Sequence, residues 1–241
     1  MEKLFVCIPT YNEIENIEKL LNIIYKNSLK IDNFELEIVF VDDNSPDGTA
    51  KLVENLSLNF PLKIHLIKNP RKAGLGKAYL QAFQYCLDNG AYAICQMDAD
   101  FSHNPEYLVK ICKLITEYDL VIASRYIKNG GVINWGFKRQ LISKYGNLYS
   151  KTILGIKVND LTGGYNCFKT SIFEKVKLNS LKSLGYAFEI ELKYKIIKAG
   201  FSFIETPIIF VNRVSGTSKM SNSIFTEAVF TPWKLRFGKN S

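Results

Sequence analysis

AYAICQMDADFSHNP, residues 91–105, decides the fold, because an apolar run ends there in two aspartates, Asp98 and Asp100. Residues 91–97 predict a short buried strand, and an Asn-Pro pair marks the turn beyond it. Carboxylates at a strand end lie at the sheet edge where crevices form in α/β proteins. Two carboxylates this close repel each other unless a cation lies between them, and such oxygen ligands select Mg²⁺ or Mn²⁺. The stretch therefore predicts a metal site, with a solvated acidic turn as the alternative.

Composition indicates a globular protein with a basic surface. The 241 residues are 47% hydrophobic, which is enough for one large domain or two small ones. The net charge of +8 favours a polyanionic partner, either nucleotide phosphates or an anionic membrane surface, although general solubility would also explain it. We expect no nucleic-acid partner, because no zinc finger, RNP-type motif or long basic run is present. The five cysteines lack metal-ligand spacing, which favours reduced, buried thiols in a cytosolic setting.

Strand and helix patterns alternate along the first 125 residues. Strands are predicted over residues 4–8, 36–41, 64–67, 91–97 and 120–123. Helices are predicted over residues 14–25, 49–56, 76–88 and 105–116. Repeated β-α units with nearly continuous apolar strands imply an α/β fold, a mostly parallel sheet covered by helices on both faces. We expect one domain over residues 1–220 and an amphipathic tail over residues 221–241.

Two further strand ends carry polar motifs. VDDNSPDGT, residues 41–49, follows the second predicted strand, and PTYNE, residues 9–13, follows the first. Each has a plain structural interpretation, since Asp, Asn, Ser, Pro and Gly make turns and Thr10 or Asn12 could cap a helix. Polar motifs nevertheless follow three predicted strands, at the strand ends where α/β proteins bind ligands. This recurrence favours a binding site.

Together PTYNE, VDDNSPDGT, RKAGLGKA, DADFSHNPE, ASRY and RVSGTSK resemble the family 2 glycosyltransferases of GT-A fold, over residues 3–220. Within that family the resemblance is to the polyprenol- or dolichol-phosphate mannose synthases. It implies a Rossmann-like GT-A fold and an inverting hexosyltransferase that moves mannose from GDP-mannose to a polyprenyl monophosphate. The alternatives are a UDP-sugar-dependent family 2 enzyme, such as a polyprenyl-phosphate glucosyltransferase, or an inactive nucleotide-sugar-binding subunit.

The resemblance also implies which residues bind the donor. Asp98 and Asp100 would bind Mg²⁺ or Mn²⁺ and, with Ala99, the diphosphate. Ser102 is a weaker metal candidate, because some members carry a glutamine ligand there. The residues expected around the guanosine are Pro9, Tyr11, Glu13, Val41 and Asp43.

Two loops have both a functional and a structural interpretation. Arg71, Gly74 and Gly76 match neither a Walker A motif nor a dinucleotide fingerprint, and they resemble the family's loop beside the nucleotide. Asp160, in NDLTGG, resembles an active-site turn of the family or is an ordinary turn aspartate. Arg125 needs an anion if it is buried, and the resemblance places it near the donor.

Arg213 and Lys219 bracket a small Ser-Gly-Thr-Ser segment, which suits a loop that closes on phosphates or is simply solvated. With Asp100 and Arg125 they form the predicted catalytic set. A phosphate acceptor is already ionised at neutral pH, so no strong base is required. His103 is therefore expected to be a loop hydrogen-bonding residue.

Glu189 and Glu191, in YAFEIEL, are expected either to face the acceptor or to lie in a packed element. Their acidic side chains alternate with large apolar ones, a pattern that fits both interpretations.

Two basic amphipathic stretches, residues 133–156 and 224–237, predict helices at a membrane interface in the C-terminal third. Ordinary core packing has the same period and remains the alternative. Pro232 is expected to break the second helix. No apolar run approaches the roughly 20 residues of a membrane span, and no signal peptide is expected after Met1. The sequence thus predicts a cytoplasmic protein held peripherally on the cytoplasmic face of a membrane.

Overall fold

The computed structural model describes residues 1–183, 185–212 and 222–238. Nine strands are present in this part of the chain: β1 Glu2–Thr10, β2 Phe34–Asp42, β3 Lys63–Lys68, β4 Ala93–Gln96, β5 Leu120–Ser124, β6 Gly131–Ile133, β7 Asn166–Lys169, β8 Phe203–Pro207 and β9 Ile209–Val211. The α-helices of the same part are α1 Ile14–Ser28, α2 Thr49–Ser57, α3 Leu75–Asp88, α4 Tyr107–Leu114, α5 Phe137–Leu154, α6 Gly185–Lys198 and α7 Asn222–Phe237. All the strands and helices predicted in the first 125 residues are therefore present, with β4 shorter than expected.

One sheet of seven strands organises the described residues, in the order β3-β2-β1-β4-β7-β5-β8. Every neighbouring pair is parallel except that β7 runs antiparallel to both β4 and β5. The remaining strands, β6 and β9, form a separate parallel pair. The prediction of an α/β fold with a mostly parallel sheet is confirmed.

The core consists of two apolar layers, one on each face of the sheet. Successive side chains of a strand point to opposite faces, so Leu4 and Val6 of β1 join one layer while Phe5 joins the other. Helix α1 buries Ile17, Leu20, Leu21 and Ile24, the apolar side of a helical repeat. Because both faces are covered, the polar groups of the central strands are concentrated at the strand ends.

Helix α7 continues through Pro232, so the prediction of a broken helix is wrong. An internal proline removes one backbone hydrogen bond, and contacts with α5 hold this helix in place. Tyr149 donates from its hydroxyl to the Val229 carbonyl at 3.0 Å and accepts from Trp233 Nε1 at 2.8 Å. The Thr231 hydroxyl donates to the Glu227 carbonyl at 2.8 Å, one turn back along the same helix.

No helix in the described ranges is both long enough and apolar enough to cross a membrane.

Candidate functional site

The candidate site lies where β1, β2, β4 and β5 end, at one edge of the sheet. These strands are parallel, so their carboxyl ends meet at that edge. The described residues predicted from the sequence that lie at or just beyond these strand ends are Pro9, Tyr11, Glu13, Val41, Asp43, Asp98, Ala99, Asp100, Ser102 and Arg125. Arg213 and Lys219 lie outside the described residues.

Asp98 and Asp100 lie on one tight turn after β4. The Ser102 N–H donates to Asp100 Oδ1 at 3.1 Å, which fixes that carboxylate. Phe101 has a φ of 62°, a left-handed conformation that a bulky side chain adopts only at a cost of about 1–2 kcal/mol. The surrounding structure therefore holds this turn in a conformation that the local sequence does not favour, as is common at functional sites.

His103 hydrogen-bonds to the same turn. The Asp98 N–H donates to His103 Nδ1 at 2.9 Å, which leaves the proton of the neutral ring on Nε2, 3.8 Å from Asp98 Oδ2. Burial lowers the pKa of His103, and the ring stacks on Tyr165 with 4.9 Å between centroids. The prediction that His103 is a loop hydrogen-bonding residue is confirmed.

The two aspartates fit a divalent metal that is shared with a phosphate ligand. Within the described residues, no group of three His, Cys, Asp or Glu side chains could hold a metal ion. Mg²⁺ sites that serve phosphates commonly use one or two protein carboxylates and take further ligands from the phosphates and water. Asp100 is buried, whereas the Asp98 side chain is 28% exposed. Asp98 and Asp100 are the residues that would hold the ion.

Asp43 anchors the glycine-containing loop before α3. Its carboxylate accepts from the Ala73 N–H at 3.1 Å, the Gly74 N–H at 2.8 Å and Asn69 Nδ2 at 2.7 Å. Gly74 has a φ of 92°, and a Cβ on Gly76 would lie 3.1 Å from the Ser183 carbonyl oxygen. These contacts support the structural interpretation of the loop, while the contact of Asp43 with guanosine stays a prediction.

Lys72, on the same loop, was not predicted. Its Nζ lies 3.7 Å from the centroid of the Tyr11 ring, which is the ring expected to stack on the nucleoside. A cation over an aromatic face is favourable by about 0.5–1 kcal/mol at exposed sites. The only signal in the sequence is the position of Lys72 in RKAGLGKA.

The anion that Arg125 needs is Asp160. Arg125 Nε and Nη2 donate to the two oxygens of Asp160, each at 2.7 Å, and the Arg125 N–H donates to Oδ2 at 2.9 Å. Burial alone would raise the pKa of Asp160, but the Arg125 guanidinium holds it below its usual value. Asp160 is therefore a buried partner of Arg125 and more than an ordinary turn residue. Glu205, also missed by sequence reasoning, accepts from the Asn159 and Asp160 N–H groups at 3.0 and 3.1 Å.

Glu189 and Glu191 both lie on the packed helix α6 and are buried. Glu189 accepts from Gln96 Nε2 at 2.9 Å and Asn166 Nδ2 at 2.8 Å, and burial raises its pKa to about 7. Glu191 accepts from backbone N–H groups of the preceding loop. The alternative of a packed element is confirmed for both residues.

Carboxylates on a strand-end turn of this mostly parallel sheet fit a glycosyltransferase of GT-A fold. Residues 5–177 match the model described as Glycosyl transferase family 2. A curated relative named polyprenol monophosphomannose synthase, from Mycolicibacterium smegmatis, is 40% identical over 98% of this chain and 88% of its own length. Another, undecaprenyl-phosphate mannosyltransferase from Micrococcus luteus, is 36% identical over 97% of this chain and 94% of its own length. The chain belongs to glycosyl transferase family 2.

Solved structures support the same fold. Glucosyl-3-phosphoglycerate synthase from Mycobacterium tuberculosis, in complex with Mn²⁺, UDP and glucosyl-3-phosphoglycerate, aligns with a TM-score of 0.64 and 14% identity, over 100% of this chain and 81% of that chain. The mannosyltransferase PcManGT from Pyrobaculum calidifontis, in complex with GDP-Man and Mn²⁺, aligns with a TM-score of 0.58 and 18% identity, over 97% of this chain and 72% of that chain. At these identities the likeness extends to the fold alone.

Proposed function

We propose that this chain is an inverting mannosyltransferase that transfers mannose from GDP-mannose to a polyprenyl monophosphate, a dolichyl-phosphate β-D-mannosyltransferase type of activity. The observation that carries the proposal is the carboxylate turn of Asp98 and Asp100, in a chain that aligns over nearly its full length with two curated polyprenyl-phosphate mannosyltransferases. A direct test incubates the protein with GDP-mannose, Mn²⁺ and a polyprenyl monophosphate, and follows mannolipid formation and GDP release. If no glycolipid formed from GDP-mannose or from a UDP-sugar, an inactive binding subunit would be favoured.

In the proposed reaction an acceptor phosphate oxygen attacks C1 of mannose while the bond from C1 to the GDP oxygen breaks. A phosphate monoester has a second pKa near 6 by analogy with phosphorylated side chains, so the nucleophile is already an anion at neutral pH. No general base is needed, which agrees with the burial of the His103 and Glu189 side chains. Mg²⁺ or Mn²⁺ held by Asp98 and Asp100 would neutralise charge on the diphosphate when bound.

Of the three cations in the predicted catalytic set, Arg125 lies within the described residues. Asp160 orients its guanidinium at the end of β5. Arg213 and Lys219 are proposed to stabilise the charge that grows on the leaving diphosphate. If so, each alanine variant loses kcat more than it raises the KM for GDP-mannose, and the two losses are less than additive. Lys26→Ala, at an exposed lysine in the last turn of α1, is the control. Unchanged kcat in both variants would restore the solvated-loop interpretation.

Guanine specificity is proposed from the resemblance to the polyprenol-phosphate mannose synthases. The residues proposed to lie around the nucleotide are Pro9, Tyr11, Glu13, Val41, Asp43 and Ala99. GDP with Mn²⁺ should raise the melting temperature more than UDP with Mn²⁺ does, and EDTA should reduce both shifts. Equal shifts would favour the alternative, a UDP-sugar-dependent family 2 enzyme.

Peripheral membrane contact is proposed for one surface, which we call the α5–α7 face. The two helices pack together and leave large apolar side chains exposed. These are Phe137, Ile142, Tyr145, Leu148, Tyr149, Phe230, Trp233 and Phe237. Exposed lysines lie among them, including Lys138 and Lys144 on α5. Such a surface suits the anionic cytoplasmic leaflet, where a lipid-linked acceptor would be within reach.

Liposome flotation tests this surface. Binding to anionic vesicles at low salt and release at high salt is expected, because the attraction is partly electrostatic. Protein that stays unbound at low salt would overturn the proposed contact.

A further inference from the structure

Helix α6 carries two Glu-Lys pairs with the same spacing of four residues, Glu189 with Lys193 and Glu191 with Lys195. All four side chains lie on α6, but the two pairs contact different parts of the protein. Lys195 Nζ donates to the carbonyl of Ser180, which precedes the helix. Lys195 also forms an ion pair with Glu191 at 2.8 Å. Lys193 is fully buried, which is rare for a lysine unless its ammonium has partners inside the protein.

The partners of Lys193 are backbone carbonyls of the turn that holds Arg125. Lys193 Nζ donates to the Leu161 carbonyl at 3.2 Å and makes a short hydrogen bond to the Gly163 carbonyl. The Gly163 N–H in turn donates to Asp160 Oδ1 at 3.0 Å. Asp160 fixes the Arg125 guanidinium, so Lys193 supports Arg125 through one turn of backbone.

Glu189 supports the other half of the site. It accepts from Gln96, the last residue of β4, two positions before Asp98. It also accepts from Asn166, whose Nδ2 donates to the Gly163 carbonyl at 3.0 Å and to Gln96 Oε1 at 3.1 Å. The two halves of the site are therefore joined through Gly163 and Asn166.

We propose that Glu189 and Lys193 are positioning residues, which hold the Asp98 end of β4 and the Arg125–Asp160 turn in a fixed relative position. The inference rests on the proposed function for the substrates, but the contacts that carry it do not depend on which sugar is transferred. Glu189 and Lys193 form no direct ion pair, so each acts through its own hydrogen bonds: Glu189 with Gln96 and Asn166, and Lys193 with the Leu161 and Gly163 carbonyls. Removing both side chains' functional groups removes the support of both halves of the site.

The experiment compares Glu189→Gln, Lys193→Met and the double variant with wild type, and uses Glu191→Gln/Lys195→Met as a matched control on the same helix. Lys193→Met should lower the melting temperature by about 5 °C, because it removes the donor to the Leu161 carbonyl. Glu189→Gln should change it little at about pH 7, near the pKa of this carboxyl, and the double variant should be about as stable as Lys193→Met. In the double variant kcat should nonetheless be roughly 10–100-fold lower, as is typical when groups that support a metal site are removed. The control double variant should keep kcat within about twofold, because its contacts reach neither Gln96 nor the Arg125–Asp160 turn.

Mn²⁺ affinity, measured from the EPR signal of free Mn²⁺ with GDP in one arm and UDP in the other, provides a readout besides turnover. The double variant should bind Mn²⁺ roughly tenfold more weakly than wild type in whichever arm binds. Wild-type kcat and Mn²⁺ affinity in the stable double variant would overturn the inference, as would an equal loss in the control. Absence of Mn²⁺ binding in wild type would overturn it too. Wild type that binds Mn²⁺ but transfers no mannose would refute the proposed function, while the Mn²⁺ affinities would still decide the inference.

Discussion

Asp160→Asn is expected to destabilise the folded protein by about 4 kcal/mol, the cost of breaking a buried ion pair from one side. The Asp160 oxygens accept from three groups of Arg125 and from the Gly163 N–H. An asparagine keeps the shape, but its amide places donors against donors and leaves the guanidinium buried without a counter-charge. In a chain of this length the loss corresponds to a fall in melting temperature of about 12 °C.

Urea unfolding followed by circular dichroism measures this loss, and Glu54→Gln is the control. The Glu54–Lys68 pair is equally short, at 2.6 Å, but about half of each side chain is exposed. Its removal should cost less than about 1 kcal/mol, because solvent screens the pair. If Asp160→Asn were no more destabilised than the control, burial would not be what makes the Arg125–Asp160 pair strong.

The pH dependence of Asp160→Asn provides an independent check. The pKa of Asp160 is lowered in the folded state, so its stabilising contribution is complete above pH 3.8 and is lost as the pH falls through the folded pKa. The difference between wild type and Asp160→Asn should therefore shrink below pH 3.8. A constant difference would show that the charge of Asp160 is not responsible.

Three further predictions concern single side chains. Asp100→Ala should abolish sugar transfer with Mn²⁺ present yet shift the melting temperature by less than about 5 °C, because the substitution removes little core volume. Near-normal turnover would contradict the metal assignment. As the pH rises from 4.5 to 7, the free energy of unfolding should fall more in wild type than in Glu189→Gln. Burial raises the pKa of Glu189 from 4.5 to about 7, so the unfolded chain releases this proton at lower pH than the folded protein does. Free energies of unfolding from urea titrations that change equally with pH in both proteins would contradict this. Leu148→Asp should weaken flotation with anionic liposomes severalfold, whereas Leu58→Asp, at an exposed leucine outside the α5–α7 face, should not.

The first half of the fold could be predicted because its signals are local. The apolar spacing of α1 and the apolar runs of β1 and β2 are visible within a few residues of sequence. The same holds for the carboxylate turn, since Asp98 and Asp100 directly follow an apolar run. Strand β7 could not be predicted in this way, because its four residues pair antiparallel with β4 and β5, which are distant in sequence.

The support beneath the site was missed for a related reason. Lys193 lies in a helix that also carries exposed and half-buried lysines, and nothing in its immediate sequence marks it as fully buried. Its spacing from Glu189 is the only local signal, and Glu191 and Lys195 show the same spacing without reaching the site. Likewise, the partner of Arg125 is Asp160, which is 35 residues away in sequence, so the residues next to Arg125 do not reveal it.

The antiparallel strand has a consequence for how this enzyme can diversify. Strands β5 and β7 are hydrogen-bonded neighbours, with Ile122 opposite Asn166, so residues 125–165 leave and re-enter the sheet at almost the same point. The entropy of closing such an excursion rises only slowly with its length. Evolution can therefore lengthen, shorten or exchange residues 126–158, and α5 with them, while the sheet, the Asp98–Asp100 turn and the Arg125–Asp160 pair stay unchanged. If the α5–α7 face is the proposed membrane contact, a preference for a new lipid surface can be acquired without changing the residues predicted to bind the sugar donor.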